Sequence, residues 1–114
     1  MGIADCIFRG MDVFRYTNYR RFLKAWRKSR GLSYQDLADL AGYKDRTYLC
    51  LVLNGKKTLS EVGIFSLAQV AGLNQGETAY FEALVRWQEA RSKLSRQFYA
   101  RRLRTVRKAA SRRR

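Results

Sequence analysis

The chain is 114 residues long, about one domain, with 24 Lys and Arg against 9 Asp and Glu for a formal net charge of +15. A hydrophobic share of 46% is too high for disorder driven by composition, so part of the chain can bury a core. With no His it cannot run imidazole acid–base chemistry or build a His-containing metal site, and with no Pro it has few imposed helix breaks. The surplus charge points to a polyanionic partner, nucleic acid first and an anionic membrane surface second.

Taken in chain order, the apolar spacing predicts an all-α chain of five or six helices. Ile3, Ile7, Met11 and Phe14 have helical spacing, so a small helix can pack at the start. The alternative is a dispensable extension over residues 1–10 or a misread start. A first long helix begins near Thr17, taken as its N-cap, and runs to about Arg30. Tyr19, Phe22, Leu23 and Trp26 form its apolar stripe, and Arg20, Lys24, Arg27 and Lys28 line the opposite side. Gly31 ends it. The second helix opens at Ser33 with Asp36 completing a capping box, turns Leu37, Ala38 and Ala41 inward, and stops at Gly42 as a left-handed cap.

Asp45 is the expected N-cap of a third helix through about Leu53, with Leu49, Val52 and Leu53 facing in and Asn54-Gly55 closing it. A hairpin over VLNGKKTL is the local alternative. Its second arm lacks alternation and no other strand pair exists to extend a sheet, so the helix end is preferred. Ser60 caps a fourth helix carrying Ile64, Phe65, Leu67, Ala68 and Ala71. Asn74 with Glu77 opens a fifth, whose apolar positions are Tyr80, Phe81, Leu84 and Val85. Trp26, Phe65, Tyr80, Phe81 and Trp87 follow helical apolar spacing and read as core aromatics rather than base-stacking platforms. A sixth helix from about Ser92 has Tyr99, Leu103, Val106 and Ala110 on one face and Arg and Lys on every other.

The charge is uneven along this order. Residues 1–89 carry 13 basic and 9 acidic residues, a net of +4, whereas residues 90–114 carry 11 basic residues and no acid. The expected organisation is an N-terminal extension (1–14), a compact helical domain (15–91) and a basic C-terminal helix and tail (92–114). Without a Ser/Gly-rich linker, the tail is expected to continue from the last helix rather than hang from a tether. Cys6 and Cys50 have neither redox nor zinc spacing and read as reduced cysteines of a cytoplasmic protein. No signal peptide and no run of about 18 apolar residues is present.

Ser33 to Leu53 reads as helix, tight Gly turn, helix. In a helix-turn-helix the second helix enters the DNA major groove, N-terminal residues first. Here those residues are Lys44, Arg46, Thr47 and, one turn on, Cys50, the candidate base contacts. Arg and Lys can donate to guanine O6 and N7, and Thr can meet a base edge or a thymine methyl. Candidate backbone contacts are Tyr34 and Gln35 at the start of the second helix, Asn54, Lys56 and Lys57 after the third, and Arg101, Arg104 and Lys108 in the tail. Each has a plainer reading as a solvated or turn-packing residue. No catalytic constellation, metal site or cofactor motif is present, so no enzyme is expected.

LSYQDLADLAGY followed by LVLNG resembles the repressor/Cro-type helix-turn-helix of bacterial and phage regulators. More of the chain is similar to a bacterial paralogous family of largely unassigned role with such an Xre-like domain, in the order YTNYRRFLKAW, SYQDLADLAG, YLCLVLNGKKTLS, AYFEALVRWQEAR. This resemblance covers roughly Asp12 to Val106. It implies a compact repressor/Cro-like fold with a basic helical extension, and a DNA-binding regulator of transcription, cytoplasmic and nucleoid-associated. Gly42 to Gly55 is one residue longer than the repressor/Cro pattern. Family members commonly continue into a second domain, here replaced by the basic tail, so no effector-sensing or dimerising role is carried over. The expected partner is double-stranded DNA, with RNA and a homodimer left open and no membrane. The alternative function is charge-driven binding or packaging of RNA or nucleoid DNA without sequence choice.

Overall fold

A computed structural model describes residues 12–112, with side chains through Ala110. Cys6 and the helical spacing of Ile3, Ile7 and Met11 lie outside these residues. The described chain is all-helical, with no strand: a 3-10 turn (Val13–Arg15), then α1 (Tyr19–Ser29), α2 (Tyr34–Ala41), α3 (Thr47–Leu53), α4 (Glu61–Val70), α5 (Gln75–Glu89) and α6 (Lys93–Arg112). The segment offered as a hairpin is the end of α3 and a loop. None of the described helices is long and apolar enough to cross a membrane.

Side-chain caps set most helix starts. At α2 the Ser33 hydroxyl accepts from the Asp36 amide and the Asp36 carboxylate accepts from the Ser33 amide, both at 3.0 Å. The Ser33 amide first, and then the Ser33 hydroxyl, hold the Asp36 carboxyl below its ordinary range. Asn74 and Glu77 make the same box at α5. Ser60 caps α4 through the Gly63 amide. At α1 the capping residue is Asn18 rather than Thr17: its carboxamide oxygen accepts from the amides of both Arg20 and Arg21.

Helix ends are equally local. Gly42 has φ of 88°, a conformation that a Cβ penalises, and there the Tyr43 amide donates to Ala38 O while the Gly42 amide donates to Asp39 O. The chain leaves α3 by the same pair of bonds, Lys56 to Leu51 and Gly55 to Val52. The ends of α1 and α4 repeat them around Gly31 and Gly72.

The core runs through the middle of the molecule. Tyr19, Phe22, Leu23 and Trp26 of α1 are buried with Leu37 and Ala38 of α2, and with Leu49, Val52 and Leu53 of α3. Ile64, Leu67 and Ala68 of α4, Tyr80, Phe81, Leu84 and Val85 of α5, and Leu59 from the loop before α4 join it. Removing a Leu or Phe side chain from water contributes about 1.5–3 kcal/mol, so this cluster outweighs the caps. Helix α1 packs on α3 and α5, α2 on α3 and α4, and α4 on α5. The 3-10 turn belongs to the same body: Val13 is fully buried, and the Phe14 ring lies 5.1 Å from that of Tyr80.

Three expectations need correction. Phe65 is 43% exposed, because residues one apart on a helix point about 100° apart and Ile64 takes the inward position. Arg20 does not lie on the free polar side of α1, since its side chain is only 20% exposed and its Nε and Nη2 are hydrogen-bonded. The basic segment does not continue α5. Ala90 is extended, the Ser92 hydroxyl accepts from the Ser95 amide, and α6 runs back antiparallel along α5. Arg96 then sits over the Trp87 ring and Arg107 over the Tyr80 ring, each at 5.3 Å.

Candidate nucleic-acid interface

The α2–turn–α3 segment is built so that one face of α3 is buried and its start is free. Leu49, Val52 and Leu53 are buried against α1 and α2. Lys44, Arg46 and Thr47, before and at the first turn of α3, are exposed, and Cys50 one turn later is half-buried. Helix α3 starts one residue later than the sequence suggests, with Arg46 at the capping position and no cap from its own side chain. Asp45 nonetheless supplies the acceptor: its carboxylate takes the Thr47 amide at 2.8 Å. The Thr47 amide first, and then the Thr47 side chain, keep the Asp45 carboxyl below its usual range. An ionised Asp45 beside Lys44 and Arg46 is therefore occupied by its own backbone.

The residues around this start fall into engaged and free sets. Tyr34 is half-buried with the Arg27 guanidinium 4.3 Å from its ring centre, which is a packed arrangement at the start of α2. The Gln35 carboxamide donates to Asp39 on its own helix at 2.9 Å. Asn54, Lys56 and Lys57 are exposed, while the amides of both lysines donate to Leu51 O at 2.8 and 3.3 Å. Their side chains thus project from a fixed backbone. On α6, Arg101, Arg104 and Lys108 are exposed at spacings of three and four, so they share one side of the helix. Tyr99, Leu103, Val106 and Ala110 on the other side are half-buried.

Sequence reasoning missed four residues that shape this region. Tyr48 donates to Thr58 O at 2.9 Å and accepts from the Ser60 amide at 3.0 Å, pinning the loop after α3 to its first turn. The Tyr43 ring lies 5.2 Å from that of Tyr48, and burial raises its hydroxyl above the ordinary range. A Cβ on Gly63 would come within 2.7 Å of both the Tyr43 hydroxyl and Leu59, so this glycine leaves room for the turn to pack on α4. Arg20 is the fourth, donating to Val52 O at 2.7 Å and to Glu89 at 2.8 Å. Tyrosines read as apolar in a periodicity pattern, and an Arg reads as solvated, so neither signals such reach.

Outside this region, Leu94 and Phe98 on α6 are 80% and 53% exposed. Among the described residues no group of three or more His, Cys, Asp or Glu stands together as a metal ligand set. Compared with protein-family models, with curated proteins and with solved structures, the chain matches none.

Proposed function

We propose that the protein binds double-stranded DNA as a regulator of transcription, with α3 entering the major groove in the manner of an Xre-like, repressor/Cro-type helix-turn-helix. The observation that carries this reading is the α3 start: Lys44, Arg46 and Thr47 are exposed while the same helix buries Leu49, Val52 and Leu53. Arg46 or Lys44 would donate to guanine, and Thr47 would meet a neighbouring base edge. Lys56 and Lys57, on a loop fixed by its own amides, would meet phosphate, and Arg101, Arg104 and Lys108 would add grip without reading sequence. A two-fold operator would be matched by a homodimer. The protein acts without a cofactor, as a binding module rather than an enzyme, in the cytoplasm at the nucleoid.

A second reading, charge-driven binding to RNA or to DNA of any sequence, is favoured by the exposed basic stripe of α6. Selection of bound sequences from random duplex DNA at physiological salt, with double-stranded RNA as competitor, separates the two. Enrichment of one motif supports the regulator, and failure to enrich any overturns it. RNA winning the competition overturns DNA as the partner.

A further inference from the structure

We propose that Arg20 is a positioning residue that, through the last turn of α3, sets how that helix and the Lys56–Lys57 loop stand relative to α5 and its basic partner α6. This rests on the DNA reading above for its functional half, and on hydrogen-bond geometry for its structural half.

One guanidinium joins three elements. Its Nε donates to Val52 O in the last turn of α3 at 2.7 Å. Its Nη2 donates to Lys57 O at 3.3 Å and to the Glu89 carboxylate, at the end of α5, at 2.8 Å. The same Glu89 oxygen accepts from the Tyr19 hydroxyl at 2.5 Å, and the adjacent Gln88 accepts from the Tyr19 amide. The Arg20 and Glu89 side chains are about one-fifth exposed, so solvent competes weakly for the bond between them.

The chemistry suits a positioning role. A helix ends in carbonyls without intrahelical partners and a partial negative charge, so a cation on Val52 O is favourable there. The Lys57 peptide is held on both sides, its amide by Leu51 O and its carbonyl by Arg20. Directly after Glu89 the chain turns at Ala90 into α6. Arg20 therefore ties the last turn of α3 and the loop proposed to meet phosphate to the point where the basic helix departs. A lysine has the charge but not the planar fork, and cannot span all three acceptors.

The test compares the full chain with its Arg20→Lys variant by amide hydrogen exchange and by duplex binding. With positioning, exchange at Gly55, Lys56 and Lys57 accelerates by about tenfold or more, while the buried turns of α5 keep their rate. The affinity ratio between the enriched duplex and random duplex falls by roughly tenfold, and affinity for random duplex stays within about twofold. Acceleration everywhere in step with a lowered Tm, at an unchanged affinity ratio, would show a merely structural contact and overturn the proposal. If Arg20→Lys does not fold, Glu89→Ala, which removes the α5 anchor of the same fork, carries both expectations. A wild-type chain that prefers no duplex overturns the DNA reading and the functional half with it. The exchange result then decides the structural half alone.

Discussion

Helices α3 and α6 solve opposite problems. Helix α3 has seven residues and buries three of them completely, and its end and following loop are held by Arg20 and Tyr48. Helix α6 has 20 residues, half-buries its inner stripe against α5, and leaves most of its cations in solvent. A short helix is marginal alone and exists because packing holds it, so its exposed end is held at a defined angle. A long helix docked along one partner tolerates loss of a contact. Choice between sequences needs the first arrangement, and grip on a polyanion needs only the second.

The largest way to break this contrast is at the core. Leu49→Ala should cost about 2–5 kcal/mol in urea unfolding, whereas Leu103→Ala on the half-buried side of α6 should cost roughly 1–2 kcal/mol. Equal costs would contradict the claim that α6 is the loosely held element. Next, Arg46→Ala should remove about 1–3 kcal/mol of preference for an enriched duplex over random duplex. Gly42→Ala, at a φ of 88°, should cost about 1–2 kcal/mol in stability, since the αL backbone there is strained for any Cβ. A cost near zero would mean the turn has another conformation available.

How much of this was legible in the sequence depends on the range of the signal. Capping boxes and the Gly42 stop involve residues three to five apart, so Ser33 with Asp36 and Asn74 with Glu77 read correctly from the chain alone. Thr17 and Asn18 both carry a suitable acceptor, and only the backbone geometry decides for Asn18. The start of α6 near Ser92 was legible, but its antiparallel return along α5 was not, because Arg96 meets Trp87 and Arg107 meets Tyr80 across 9 and 27 positions. Arg20, Tyr43 and Tyr48 act across 10 to 69 positions in sequence, or through ring contacts between elements, which no local pattern encodes. Cations also read alike in a sequence. Here Arg96 and Arg107 lie over rings, Arg20 is bonded, and Arg101, Arg104 and Lys108 remain exposed.

The smallest expected effect concerns acid. Asp36 and Asp45 have carboxyls held below their ordinary range by capping bonds, so each contributes stability that is full above the unfolded value near pH 4. That contribution is lost as pH falls through the lower folded value. Thermal melts from pH 6 down to pH 2 should therefore show a falling Tm, with a shallower fall in Asp36→Asn. An identical slope in the variant would remove the capping box from the account.

The central claim is that choice resides at the start of α3 and grip on α6. Its most direct test measures affinity for the enriched and the random duplex across a salt series, for the wild type, for Arg46→Ala and for the triple variant Arg101→Gln, Arg104→Gln and Lys108→Gln. Arg46→Ala should lower the enriched-to-random ratio with little change in random-duplex affinity. The triple variant should reduce the salt slope by about 2–3 while keeping the ratio. A triple variant that loses the ratio, or an Arg46→Ala that keeps it, would contradict the division between the two helices.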